Sequence, residues 1–324
     1  MKLKDMKRNH LFMIMNDIYI HKSSTMNELT QRLMLSQPSV RNMVRLLQEH
    51  HAIVEIGNDS SSGGRCPIRF AINQNDYHIL YLYVHDYMIY FQMKHFDLLI
   101  ESDMYHYHNQ NEMIVFVNDL LQKYTPHCCM IAVDGIVDND EYITDHHNMT
   151  ERQQWIKKLK ETVKIPIYLI NDVKAMHLGS YFHHQKKHTY YLHMNKVGIG
   201  SSYFYDNQPI FGASGLMGEI GLMAIDDQTL NQKVRGCQSQ EEFNHLLCFI
   251  LSMIYTMVDP YYIDLSIDLN WQYDQGYINQ YFKNHYDLCF QGKLHYNKNF
   301  IELMFQGLEY IGIENLMKEI TKRM

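Results

Sequence analysis

The stretch Thr25–Asn73, TMNELTQRLMLSQPSVRNMVRLLQEHHAIVEIGNDSSSGGRCPIRFAIN, constrains this chain more than any other. Thr25 with Glu28 three residues on has the spacing of a capping box, which predicts a helix whose apolar side carries Leu29 and Leu33. Ser36 is placed to cap a second helix, with Pro38 in its first turn, where an amide has no partner in any case. Val40, Val44 and Leu47 then repeat at four and three and define a buried side. Arg41, Arg45 and Gln48 lie opposite, with Gln37 and Asn42 beside them. Two short helices, the second presenting polar and basic groups outward, are the parts of a helix-turn-helix. Ala52–Ile56 reads as a strand, Gly57–Gly64 as a polar loop and Ile68–Ile72 as a returning strand, which together make a wing. The pattern implies a reader of double-stranded DNA. Gln37, Ser39, Arg41 and Asn42 would meet base edges in a major groove, with Arg45 nearer the phosphates. Arg65, beside Gly63 and Gly64, would enter the adjacent minor groove.

A net charge of −7 would ordinarily argue against nucleic acid, but the charge is unevenly spread. Residues 1–73 hold ten Lys/Arg against six Asp/Glu, a net of +4, which leaves −11 for residues 74–324. A basic head on an acidic body puts the DNA-facing charge at the N-terminus. The six cysteines (Cys66, Cys128, Cys129, Cys237, Cys248 and Cys289) show neither paired metal spacing nor a secreted framework. Cys128–Cys129 precedes an apolar run and reads as reduced and buried. HHQKKH at 183–188 lacks a carboxylate or Cys spaced to complete a metal site and reads as a solvated loop. With no apolar run of about 18 residues and no signal-peptide core, the expectation is a cytoplasmic protein.

In chain order, Leu3–Ile20 begins with a helix, its stripe of Leu11, Ile14, Met15 and Ile18 packed on a neighbour. Gln74–Tyr77 is a short polar hinge. Ile79–Val84 and Met88–Met93 read as a hairpin across His85–Asp86–Tyr87. Helices follow at Asn111–Tyr124, Thr150–Val163 and Val173–His183, and strands at Cys129–Val133, Ile165–Ile170, Tyr190–Met194 and Ser202–Tyr205. Lys196–Ser201 carries the glycines of a turn. Phe243–Val258 is a long apolar helix, Ile263–Leu269 a strand and Ile301–Glu319 a closing helical region. Such alternation indicates an α/β body with ligand positions at strand ends.

The wing SSSGGRCPIRFAIN resembles that of the ROK family of repressors and sugar kinases. The body resembles the family along its length, in IAVDGIVDNDEYIT, IPIYLINDVKAMHLGSYF, VGIGSSYFYDNQPIFGASGLMGEIGLMAI and MVDPYYIDLSID. Asp134 stands where the family usually has proline. The resemblance is to repressors of the xylose and N-acetylglucosamine type. It implies an N-terminal winged helix-turn-helix over residues 1–73, then a bilobed actin-like, ribonuclease H-like ROK domain over 74–324. Lobe 1 would span about 77–175 plus 300–324, and lobe 2 about 176–299.

Two departures bear on function. Family kinases hold ATP phosphates with a glycine loop, because only glycine lets backbone amides approach phosphate closely. This chain has Tyr83–Tyr87 there, and Asp264–Asp268 where the element near adenosine carries glycines. Asp172 matches the family's general base, but phosphoryl transfer depends on positioning and neutralising the phosphates. The family's structural zinc site also lacks its residues: Leu222 replaces a histidine ligand and only Cys237 of the cysteines remains. Neither ATP nor zinc is therefore expected, and no enzyme activity. Asn171, Asp172 and Glu219 match family positions that could grip vicinal hydroxyls of a sugar effector. Equally, Asn171 and Asp172 could cap the helix that follows, and Glu219 could bind the amides of its glycine turn. Three functions remain open: a homodimeric, sugar-controlled repressor; a sugar kinase with an accessory DNA-binding domain; and a regulator whose body only dimerises or binds protein.

Overall fold

A computed structural model describes residues 3–324 except 59–65, 139–140, 145–148, 185, 207, 214–215 and 287–292; for 3–4, 138, 141–144, 149–154 and 182–184 the backbone alone is described. The chain opens with α1 (Leu3–Ile20), β1 (Ser24–Thr25), α2 (Met26–Leu33), α3 (Gln37–Glu49), β2 (Ile53–Asn58) and β3 (Ile68–Ile72). The three strands form an antiparallel sheet in the order β1-β3-β2. Local chemistry fixes each boundary. Thr25 accepts from the Glu28 amide while Glu28 accepts from the Thr25 amide, closing the capping box. Ser36 accepts from the Ser39 amide, and Met34 between the helices turns the chain at φ 52°. Arg32 clamps both oxygens of Asp17, at 2.6 and 2.8 Å, and reaches Ser24 Oγ at 2.5 Å, tying α1 to α2 and β1. Burial alone would raise the Asp17 carboxyl, but the bonds from Arg32 and Ser24 hold it below its usual range.

The body carries two five-stranded sheets. β4 (His78–His85), β5 (Met88–His95), β6 (Leu98–His106), α4 (Gln110–Tyr124), β7 (Cys128–Val133), β8 (Ile136–Asp138), β9 (Glu141–Thr144), α5 (Met149–Thr162) and β10 (Ile167–Asn171) contain the first. Its order is β10-β7-β4-β5-β6, parallel through β4 and antiparallel beyond. After α6 (Asp172–His184) come β11 (His188–Asn195), β12 (Ile199–Tyr205), β13 (Gln208–Pro209), a 3-10 turn (Ile220–Leu222), β14 (Ala224–Ile225), β15 (Gln228–Thr229), α7 (Leu230–Gly236) and α8 (Gln240–Val258). β16 (Tyr262–Asp268), α9 (Gln275–Tyr286), β17 (Leu294–Tyr296) and α10 (Phe300–Lys322) complete the chain. The second sheet runs β13-β12-β11-β16-β17, with β11, β16 and β17 parallel. Alternation along β4 serves two cores: Leu80, Leu82 and Val84 pack with α4 and α5, while Tyr81 and Tyr83 face α6 and α10. The arrangement is α/β with mixed sheets.

Several elements differ from the sequence reading. Strand β6 has no counterpart in it, because an edge strand with mostly exposed side chains lacks the apolar alternation that marks a half-buried one. The small strands β8, β9 and β13–β15, and helices α7 and α9, were likewise unforeseen. The expected turn at Lys196–Ser201 is confined to Lys196–Gly198, because Ile199, Gly200 and Ser201 pair with β11. Asn171 ends β10 and Asp172 begins α6, so the expected boundary after Ile170 shifts by one residue. The polar hinge at Gln74–Tyr77 is braced. Tyr77 Oη donates to His50 O at 2.8 Å, and Asn73 Nδ2 donates to His51 O at 2.8 Å.

Helices α6 and α10 touch backbone to backbone. A Cβ on Gly179 would lie 1.9 Å from Leu303 O, and one on Gly307 would lie 1.9 Å from Ala175 O. The C-terminal end of α10 in turn holds α1, through Lys7 Nζ to Met324 O at 3.1 Å and Arg8 Nη2 to Lys322 O at 3.2 Å. One continuous core therefore runs from Leu11, Val40 and Val44 through Tyr81 to α6 and α10. Alanine is the better helix former by about 1 kcal/mol. Gly307→Ala is nevertheless expected to lower the thermal midpoint, because separating packed helices costs about 1–3 kcal/mol. Gly236→Ala in α7, where an added Cβ meets nothing within 4 Å, should leave the midpoint unchanged or raise it. Thermal unfolding of the two variants side by side checks this.

Candidate functional site

Two surfaces collect the residues that the sequence singles out. On α3, Val40, Val44 and Leu47 are buried, and Gln37, Arg41, Asn42 and Arg45 are exposed on the solvent side. Ser39 is half-buried beside the cap. Arg45 Nε lies 3.5 Å from Glu49, but the side chains are 73% and 58% exposed, so this is a solvated pair that leaves Arg45 available. Gln48 instead donates to Glu55 at 2.9 Å and braces α3 against β2. Gly63, Gly64 and Arg65 lie outside the described residues.

The second surface lies where the parallel strands of the body end. Register pairs Val133 with Asn171, so Asp134 and Gly135 leave β7 beside the start of α6. Asn171 Nδ2 donates to Gly135 O at 2.9 Å, while its Oδ1 accepts from the Lys174 amide at 3.0 Å. Asp172 Oδ1 accepts from the Val173 amide at 2.8 Å. Both side chains thus cap α6, while still sitting at the strand ends. Glu219 follows Gly218, whose φ of +102° and close approach to Ser201 O exclude a side chain there. The Ser201 amide and hydroxyl both donate to Gly218 O, pinning this turn to β12.

Electrostatics brings these groups together. Burial first, then the Asp134 and Glu219 carboxylates, push the Asp172 carboxyl well above the usual carboxylate range. Burial also raises Glu219, opposed by the ammonium of Lys174. Lys174 is itself only 4% exposed, with its ammonium 5.1 Å from the centre of the Phe211 ring. Asp134 and Lys174 are the contributors that the sequence reading passed over. Asp134 was visible only as a proline replacement, and Lys174 as one more residue of a helix. Leu222, half-buried in the 3-10 turn, adds no polar side-chain atom.

Where a glycine loop would cradle phosphates, β4 and β5 are joined by Asp86 and Tyr87, both at positive φ, 46° and 61°. Across the second sheet a polar network fills the core. Ser180 hydroxyl donates to Asp264, Asn297 Nδ2 donates to Asp264 at 3.1 Å, and His193 Nδ1 meets Ser266 Oγ at 2.7 Å. Burial pushes the His193 imidazole down to about 3, so it stays neutral near pH 7. Among the described residues no group of three or more His, Cys, Asp or Glu has the placement to hold a metal ion. Cys237 Sγ donates to Lys233 O at 3.4 Å. No helix among the described residues is long and apolar enough to cross a membrane.

A carboxyl raised on folding keeps its proton over a pH range in which the unfolded chain has lost it. Stability therefore falls as pH rises through that range. For Asp172 the range opens at the ordinary value of 3.8 and extends upward. Asp172→Asn keeps an acceptor for the Val173 amide and removes the titration. The variant should melt higher than wild type near pH 7.5 and close to it near pH 4. Melting curves across that interval check the sign.

Comparison with known proteins bears on the fold and the family. The xylose repressor of Bacillus subtilis (strain 168) is 24% identical over 229 residues, covering 66% of this chain and 60% of that protein. The chain thus matches about 60% of that relative's length. A solved ROK family transcriptional regulator, described as a homolog of the E. coli MLC protein, superposes with a TM-score of 0.71 at 14% identity, over 98% of this chain and 99% of that one. A ROK family glucokinase from Streptomyces griseus, solved with glucose and AMPPNP, gives 0.56 at 10% identity, over 72% of this chain and 99% of that one. Residues 106–242 match the family profile described as ROK family, and the chain carries a ROK family domain.

Proposed function

We propose that this chain is a DNA-binding transcriptional repressor of the ROK type, and that its N-terminal residues 1–73 form a winged helix-turn-helix. The observation that carries the reading is the division of α3: Val40, Val44 and Leu47 are buried while Gln37, Arg41, Asn42 and Arg45 face solvent. A helix held from behind by a capped partner and a β-hairpin is built to enter a major groove. The named relative is a xylose repressor, which supports a role in carbohydrate-related genes. We place the protein in the cytoplasm and pair two copies through the acidic body, since two half-sites need a two-fold protein.

In this reading the body, residues 74–324, binds a sugar or sugar derivative at Asn171, Asp172 and Glu219 and does not phosphorylate it. Asp86 and Tyr87 at the β4–β5 tip support a site without ATP, because a phosphate loop of the family's kind uses glycines and these residues bear side chains. The lobes would divide at about 175 and about 300, with α6 and α10 between the two sheets. A second reading, a body that only dimerises, is favoured by the bonds that Asn171 and Asp172 commit to the first turn of α6.

Arg41→Ala is expected to weaken binding to a duplex selected by the wild-type chain by about 1–3 kcal/mol, with relaxed preference at one position. Arg45→Ala should weaken all duplexes alike and flatten the salt dependence. Gel shifts at fixed and varied salt check both. Unchanged affinity in both variants would remove α3 as the reading helix.

A further inference from the structure

The end of β4 brings a phenol into the cluster of carboxylates. Tyr83 is 0% exposed, and its hydroxyl has no hydrogen-bond partner among the described residues. Burial first, then Asp172, Asp134 and Asp268, raise it well above its ordinary value. These carboxylates come from three elements: Asp134 from the end of β7, Asp172 from the start of α6 and Asp268 from the end of β16. Glu219 also acts on Asp172. Facing them, Lys174 acts on Glu219, and His85 Nδ1 stands 3.9 Å from Asp134 Oδ2, beyond hydrogen-bond reach. The corner therefore gathers carboxyl groups around a buried hydroxyl that has no hydrogen-bond partner among the described residues.

We propose that the corner formed by Tyr83, Asp134 and Asp172 receives the protonated primary amine of an amino sugar. The inference rests on the reading of these strand ends as a carbohydrate site and narrows its ligand to a cationic one. An ammonium offers three donors and no acceptor, which matches the Asp134 carboxylate, the phenol oxygen and the Asp172 carboxyl, whose proton the arriving positive charge helps to release. It also offsets the mutual repulsion of Asp134 and Asp172, which a neutral hydroxyl cannot do. A sugar phosphate would bring further negative charge to the same carboxylates, with no glycine cradle to receive it. Tyr83 and Asp172 are 0% and 3% exposed, so the elements around them have to part for the amine to enter and close again on it. Ligand arrival is thereby tied to a movement of the lobes.

Calorimetry of the full chain near pH 7 tests this with D-glucosamine, D-galactosamine and D-mannosamine, each beside its N-acetyl, 6-phosphate and parent-sugar counterparts. At least one amine should bind about tenfold or more tightly than its neutral and phosphorylated counterparts. Asp134→Asn should reduce that amine to the level of its parent sugar measured on the same variant. Tyr83→Phe should weaken the amine several-fold. Equal or tighter binding of the neutral or phosphorylated sugars, or an amine preference that survives Asp134→Asn, overturns the proposal while leaving the carbohydrate reading intact. Binding of none of these ligands overturns both.

Discussion

The rest of the molecule depends on the backbone contact between α6 and α10. Two glycines, Gly179 and Gly307, let the helices approach until a carbonyl of one occupies the space a side chain of the other would need. α6 begins at Asp172, among the candidate ligand-binding carboxylates, and α10 ends against α1, which supports the proposed reading helices. A rigid element is thus shared by the two candidate sites. Packed interiors deform little, so a displacement of α6 is passed to α10 rather than absorbed between them. That is a physical route by which occupancy of the proposed site would alter the placement of α3, provided that the ligand favours one arrangement of the lobes over the other.

The polar interior follows from the same geometry. α6 lies across the second sheet and puts Ser180 beside Asp264 and His177 beside Thr189. Burial holds His177 down at about 3, so it acts as a neutral hydrogen-bonding group. These groups bond across the α6–sheet contact and are structural. The carboxylates at the strand ends differ, because Asp134 and Glu219 both disfavour charge on Asp172. The gathering of carboxyl groups at one corner is what distinguishes a candidate site from the polar core behind it.

Much of this was legible in the sequence. The capping box at Thr25 and Glu28, the cap at Ser36 and the stripe of α1 depend on neighbours within one or two turns, and the structure places all three as the spacing implies. So do the long apolar runs of β4, β7, β11 and α8, whose cores are deep enough to override local ambiguity. Strand β6 escaped because Leu98, Leu99, Ile100 and Met104 are exposed on an edge, and apolar exposure carries no period. The site was legible only in part. Asn171, Asp172 and Glu219 stood out as matches to family positions, but Asp134 and Tyr83 join them only through strand register, and Lys174 through the way α6 faces Phe211. Those are long-range facts. The backbone approach of Gly179 and Gly307 was equally silent, since two glycines well over a hundred residues apart announce no contact.

Selection of duplexes from a random-sequence library by the full-length chain, at physiological salt, tests the central claim most directly. The account predicts enrichment of a two-fold symmetric site, with half-sites about one helical turn apart or a multiple of it, because α3 is presented once per protomer. A bound pool without sequence preference, or one retained only at low salt, would contradict it and leave the basic N-terminal face as a nonspecific surface.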